Sequence, residues 1–152
     1  MPAHVVSIHD AHPGGDLAVD LRDVLEALGD AVAKSEWVAT LLDCSGEKVQ
    51  PLCDEVEAAR PAGVKLDGAR LLAVAEEAGV TNDAILFGYP AGSPDLAKPR
   101  HLRAEFLGSD AQLLVESVEG AFFVVAAKEK KLIERVRERF EDVRDEDVEA
   151  SW

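Results

Sequence analysis

Between residues 100 and 143 the chain runs through three short strand-like segments and then changes period. Residues 101–107 alternate, with Leu102, Ala104 and Phe106 on one side and His101, Arg103 and Glu105 on the other. Gly108-Ser109-Asp110 then turns the chain, and residues 111–118 set Leu113 and Val115 against Gln112 and Glu116. After the Glu119-Gly120 turn, residues 121–127 (AFFVVAA) are apolar throughout. From Lys128 the spacing changes: Leu132, Ile133, Val136 and Phe140 fall on one helical face and Lys131, Glu134, Arg135 and Glu138 on the other. A period of two belongs to a half-buried strand and a period near 3.6 to a helix with one buried stripe. Strands joined by tight turns pair antiparallel, and a strand apolar on both faces needs cover on both. This third of the chain therefore predicts an antiparallel sheet with helices packed on it.

The upstream sequence adds further elements. Residues 1–15 hold three histidines and a Pro-Gly-Gly stretch with little periodicity, and read as an irregular arm. Leu17, Leu21, Val24, Leu25, Leu28 and Val32 form one helical stripe, with Asp16 as its expected N-cap and Gly29 as a point of fraying. Residues 37–42 read as a strand, Asp43-Cys44-Ser45-Gly46 as a turn, and 49–52 as a second strand, together a hairpin. Residues 54–60 read as a turn or two of helix stopped by Pro61. Asp67 is placed to cap a helix ending near Ala78, before Gly79. Residues 84–89 are apolar and of open type, and Pro90, Gly92, Pro94 and Pro99 mark a loop. The expected organisation is an arm (1–15), one domain (16–143, with an insertion at 80–100) and an acidic tail (144–152).

Charge narrows the partners. The net charge of −14, from 30 acidic and 16 basic residues, repels nucleic-acid phosphates and anionic membrane surfaces and favours basic protein surfaces. An acidic host proteome would give the same balance. At 47% apolar residues the chain can bury a core, and no apolar run approaches the roughly 20 residues that span a bilayer. The start carries no basic lead-in, and the two cysteines do not make a disulfide framework, so a cytoplasmic protein is expected, with neither nucleic acid nor membrane insertion.

Three segments carry a family likeness. These are "WVATLLDCSGEKVQPL", "LDGARLLAVAEEAG" and "HLRAEFLGSDAQLLVESVEGAFFVVAAKEKKLIERVRERF". With the first helix they cover most of residues 16–143 and resemble the roadblock/LC7 domain of dynein light-chain and GTPase-regulator proteins. The resemblance implies an α+β fold in the order α-β-β-α-β-β-β-α, with a five-stranded antiparallel sheet and helices on both faces. It also implies a dimer, with itself or a related subunit, that regulates or scaffolds a small Ras-like GTPase. By position it puts partner contacts on Asp67, Arg70, Glu76 and Glu77, and a dimer edge on His101, Arg103 and Glu105. It implies no catalytic side chain and no cofactor. Relative to the family, the insertion at 80–100 is additional.

Direct evidence for chemistry is thin. His4, His9, Asp10 and His12 are ligand types for a divalent ion, but they lie in the expected arm, and no metal site is assigned. Cys44 and Cys53 fall at opposite ends of the expected hairpin and read as small buried residues. The chain has no Gly-x-x-x-x-Gly-Lys phosphate loop and no Gly-x-Ser-x-Gly elbow. Two other functions fit the same residues: an acidic inhibitor or immunity protein that binds a basic enzyme, and a small enzyme drawing its site from the histidines and residues 84–100.

Overall fold

A computed structural model describes residues 3–97 and 103–146. In chain order the elements are β1 (His4–Ile8), α1 (Leu21–Leu28), α2 (Asp30–Lys34), β2 (Ser35–Cys44), α3 (Gln50–Ala59), β3 (Val64–Asp67), α4 (Gly68–Glu77), β4 (Thr81–Pro90), β5 (Leu113–Val118), β6 (Phe122–Ala127), α5 (Lys130–Arg139) and β7 (Val143–Asp145). Two 3-10 turns, Pro94–Ala97 and Arg103–Gly108, lie between β4 and β5.

All strands join one seven-stranded sheet in the order β3-β2-β4-β5-β6-β1-β7, every neighbour antiparallel. The α+β class holds, but the expected five-stranded sheet in the order α-β-β-α-β-β-β-α does not. Two expected strands, 49–52 and 101–107, are absent among the described residues, and four others are present: β3 (Val64–Asp67) beside β2, and three more. Residues 4–8, expected in an irregular arm, form β1 and pair with β6 on one side and β7 on the other. Residues 84–89, within the expected insertion, are the middle of β4, which pairs with both β2 and β5. Residues 143–145, which span the expected boundary between the domain (16–143) and the tail (144–152), add β7.

The expected hairpin at 37–52 is also replaced. Residues 50–52 open α3 instead of a second strand, because Pro51 has no N–H for a ladder yet suits a helix's first turn. The antiparallel partners of β2 are then β3 and β4. Residues 103–107 are not a strand either. They form a 3-10 turn in which Phe106 is 0% exposed while Ala104, Glu105 and Leu107 face outward. Spacing of three keeps Phe106 inward as well as alternation would, and β4 already pairs directly with β5, which leaves no place for a strand between them.

Cross-strand register explains the two cores. Ala39, Leu86, Val115, Val125 and Val6 sit opposite one another in a row across five strands. They belong to the cluster that takes Leu25 and Leu28 of α1, Val32 of α2, Val56 of α3, Leu71 of α4 and Ile133 and Val136 of α5. The next row, Val38, Phe87, Leu114, Ala126 and Val5, points to the other face. It packs with Leu96, Phe106 and Ala111 from the β4–β5 connection. Among the described residues no α-helix contributes to that second cluster, so the expectation of helices on both faces is corrected to helices on one and 3-10 turns on the other.

Local chemistry sets the helix ends. Asp20, not Asp16, caps α1: its side chain accepts from the Asp23 N–H and the Asp23 side chain accepts from the Asp20 N–H, both at 3.1 Å. Gly29, at φ +64°, stops α1 with its N–H bonded to the Leu25 and Glu26 carbonyls. Asp67 caps α4 as expected, accepting from the Arg70 N–H at 2.7 Å.

Candidate functional site

The second face of the sheet changes character along the strands. Beyond the apolar row lies a mixed one, in which Ile85 is opposite both Leu41 and Glu116, Val124 is opposite both Glu116 and Ser7, and Ser7 is opposite Arg144. Glu116 is only 3% exposed in this row. At the end of the strands Asp43 and Asp83 stand directly opposite each other on β2 and β4. The Asp83 carboxylate accepts from the Glu119 N–H at 3.1 Å, which places the β5–β6 turn beside it. Around the corner Glu119 joins Asp16, Asp20 and His12 in lining an open cleft of about 720 Å³, with Leu17, Val80 and Phe123 among its apolar walls.

Five carboxylates thus gather at one end of the sheet from four separate parts of the chain. Among the described residues none of Asp16, Asp20, Asp43, Asp83 and Glu119 has a cationic partner at ion-pair distance. Some carboxylates elsewhere do. Arg139 lies 3.5 Å from Asp23 and 3.4 Å from Glu26, Arg22 lies 3.6 Å from Glu76, and Arg144 meets Asp142 at 3.0 Å. That last contact holds the Asp142 carboxyl below the ordinary carboxylate range, chiefly through the Arg144 hydrogen bond. Like charges placed directly across a ladder are destabilising, so the Asp43–Asp83 pair is a local cost with no compensating ion pair.

The residues singled out in the sequence are dispersed. Asp67 is the N-cap of α4 and Arg70 is exposed one turn later; Glu76 and Glu77 lie at the far end, with Glu76 held by Arg22. His101 lies outside the described residues. Arg103 and Glu105 belong to a 3-10 turn, so there is no sheet edge at their position. The sheet's two edges are β3 and β7, of four and three residues, carrying exposed Lys65, Asp67, Arg144 and Asp145. Short charged edges of this kind oppose further strand addition.

The N-terminal histidines do not converge. Among the described residues no group of three or more His, Cys, Asp or Glu side chains could hold a metal ion. Asp10 accepts from the N–H groups of Glu141 and Asp142 at 3.0 and 2.7 Å and ties β1 to the chain entering β7. The His9 ring stacks on Phe122, centroids 4.9 Å apart. Its Nε2 is 2.7 Å from Ser7 Oγ, which itself donates to Glu146 Oε1 at 2.6 Å. The hydroxyl, not the imidazole, is central here. Its one proton goes to Glu146, so the imidazole N–H donates to Ser7, the reverse of what a serine nucleophile needs. Ser7 is also 0% exposed.

A second polar cluster fixes the β4–β5 connection. The Asp95 carboxylate accepts from the Asp110 N–H, Ser93 Oγ donates to Asp110 at 3.2 Å, and Lys128 Nζ donates to the Ser109 carbonyl while lying 5.2 Å from the Phe106 ring centroid. Burial lowers the Lys128 pKa, opposed by the charges of Asp110 and Asp95. Burial, with the charges of Asp95, Glu105 and Asp110, pushes the Tyr89 phenol up to about 12.

Local sequence puts Asp16 at a helix cap and Asp43 and Glu119 in turns, each by itself, and gives no signal that Asp20 and Asp83 join them. Only the strand order brings them together, since they are far apart in the chain. Among the described residues no helix is long and apolar enough to cross a membrane. No family model, no curated protein and no solved structure matches this chain.

Proposed function

We propose that this chain is a non-catalytic binding domain whose acidic end receives the basic surface of a partner protein, as an inhibitor of a basic enzyme would. The observation that carries the reading is the set of five carboxylates at one end of the sheet with no cationic partner among the described residues. A partner's Lys or Arg side chains would supply the missing countercharge and relieve the Asp43–Asp83 repulsion. The chain's net charge of −14 would steer such a partner in over several ångströms at low salt. The cleft beside Glu119 offers apolar walls as well as charge, which suits an arginine: its planar head pairs with carboxylates and its stem packs on Leu17 or Phe123. The reading places the domain in the cytoplasm, in keeping with two free thiols.

A second reading, an adaptor for a small Ras-like GTPase, draws on the exposed outer face of α4, where Arg70 and Glu77 are open to solvent. One capture experiment separates the two. The wild-type chain, a variant in which four of the five acidic-end charges are removed (Asp16→Asn, Asp43→Asn, Asp83→Asn, Glu119→Gln; Asp20 is kept as the α1 cap) and an α4 variant (Arg70→Glu, Glu77→Lys) are immobilised. Each is exposed to lysate loaded with GDP or a non-hydrolysable GTP analogue. The binding-end reading expects a basic protein, held regardless of nucleotide and released from the first variant alone. Retention of a GTPase in one nucleotide state, lost from the α4 variant alone, overturns it in favour of the adaptor.

A further inference from the structure

The chain has two cysteines, and the fold brings them together. Cys44 is the last residue of β2, and its Sγ contacts Thr81 Oγ1 at 3.5 Å. Gln50, in the first turn of α3, reaches back to donate to the Cys44 carbonyl at 2.6 Å. Cys53 lies three residues after Gln50, on the same side of the helix. Both cysteines belong to the core under the helices, Cys44 at 2% exposure and Cys53 at 8%. The Cys53 thiol is near enough to add to the rise in the Cys44 pKa, of which burial is the larger cause. A buried thiol pair on two packed elements, joined by a short connection, has the arrangement in which a disulfide can close once the sulfurs come within bonding reach.

We propose that Cys44 and Cys53 form a reversible dithiol–disulfide clasp between β2 and α3, oxidised by small disulfides such as glutathione disulfide. Cys53 is the more exposed thiol and reacts first. Its thiolate attacks one sulfur of the oxidant, the oxidant's S–S bond breaks, and one glutathione leaves as a thiolate that takes up a proton. Cys44 then gives up its proton and attacks the Cys53 sulfur of the mixed disulfide, expelling the second glutathione. The balance is two protein thiols and one glutathione disulfide to one protein disulfide and two glutathiones. Burial of Cys44 pushes its thiol pKa up to about 11, which keeps it from reacting first and suits it to the resolving step. The clasp would close a loop of about ten residues adjoining Asp43, and so would fix the end of β2 that carries part of the acidic surface.

The test uses the full chain with excess glutathione disulfide, followed by denaturation, maleimide labelling and mass spectrometry. The expected product is a monomer lighter by about 2 Da that takes up no maleimide, with Cys44 and Cys53 joined in one peptide pair. Its unfolding midpoint should rise by about 5–10 °C and return on reduction. The Cys44→Ala variant serves as the control for access: Cys53 should then hold glutathione as a stable mixed disulfide, whereas Cys53→Ala should leave Cys44 unmodified. A stable mixed disulfide on the wild-type chain, an intermolecular dimer, or two thiols still free after the time in which Cys44→Ala reacts would each overturn the proposal. So would a Cys44→Ala chain that folds yet stays unmodified.

Discussion

Replacing Phe106 by alanine removes the largest side chain that the β4–β5 connection places on the second face of the sheet. Phe106 is 0% exposed and packs in the cluster with Phe87, Leu114, Val124 and Ala126. A buried phenylalanine removes about 200 Å² from water, which at about 25 cal/mol per Å² is an upper figure near 5 kcal/mol. Alanine keeps part of that area, but the vacated space costs dispersion contacts, and measured Phe→Ala changes in cores fall at about 3–5 kcal/mol. The Lys128 ammonium 5.2 Å from the ring centroid adds about 0.5–1 kcal/mol. The expected loss is about 4 kcal/mol, a large share of the roughly 5–15 kcal/mol that holds a domain folded. Urea unfolding of wild type and variant at two protein concentrations about tenfold apart reads it through the midpoint and slope. Amide exchange should also rise first in residues 104–112, because that connection loses its anchor before the sheet does. A loss below about 1 kcal/mol would show that Phe106 does not anchor this face. A wild-type midpoint that falls on dilution would return residues 103–107 to an interface role.

Three further perturbations follow from contacts elsewhere. Gly68→Ala should destabilise by about 1–3 kcal/mol, because a Cβ there meets the Val32 carbonyl and lies 2.7 Å from Ala33 Cα, an overlap that better helix propensity offsets only in part; thermal unfolding reads it. Asp10→Ala should cost about 1–2 kcal/mol by removing the charged acceptor shared by the Glu141 and Asp142 N–H groups, and amide exchange at those two positions should accelerate. Stability should fall between about pH 9 and 12. Cys44, raised from 9.0 to about 11, and Tyr89, raised from 10.0 to about 12, both hold their protons more tightly when folded, so the stability they confer is complete below the unfolded pKa and is lost as pH rises through the folded one. Lys128, lowered by burial, works the other way and becomes less costly as pH rises toward 10.5. Urea midpoints measured at pH 8 and pH 11 should show the net decline, and Cys44→Ala should flatten its lower part.

Periodicity located the elements whose environment is local and uniform. Strands β5 and β6, helix α5, the stripe of α1 and the Asp67 cap all lie within a few residues of where pattern puts them, because each helix carries one buried stripe and the two strands are set off by the Gly108-Ser109-Asp110 and Glu119-Gly120 turns. The misreadings have a common cause in pairing partners that the local sequence does not name. Val5, Val6 and Ile8 sit among histidines and polar residues, and nothing nearby indicates that β6 and β7 will flank them. The apolar stretch of β4 has no alternation because both of its faces are covered, one by helices and the other by Phe106 and its neighbours. The alternation of 101–107 is too short to separate a period of two from one of three, and Phe106 satisfies both. The acidic end was visible only as net charge. Asp16, Asp43, Asp83 and Glu119 each suit a turn or strand end by local chemistry, and the strand order alone makes neighbours of them.

The most direct test of the binding reading is a calorimetric titration of the captured basic partner against the wild-type chain and the four-carboxylate variant, at about 0.05 and 0.3 M salt. The account predicts binding at least about tenfold weaker for the variant at low salt, with most of the salt dependence gone. Equal affinity for the two chains, with the same response to salt, would contradict it and remove the acidic end from the interface.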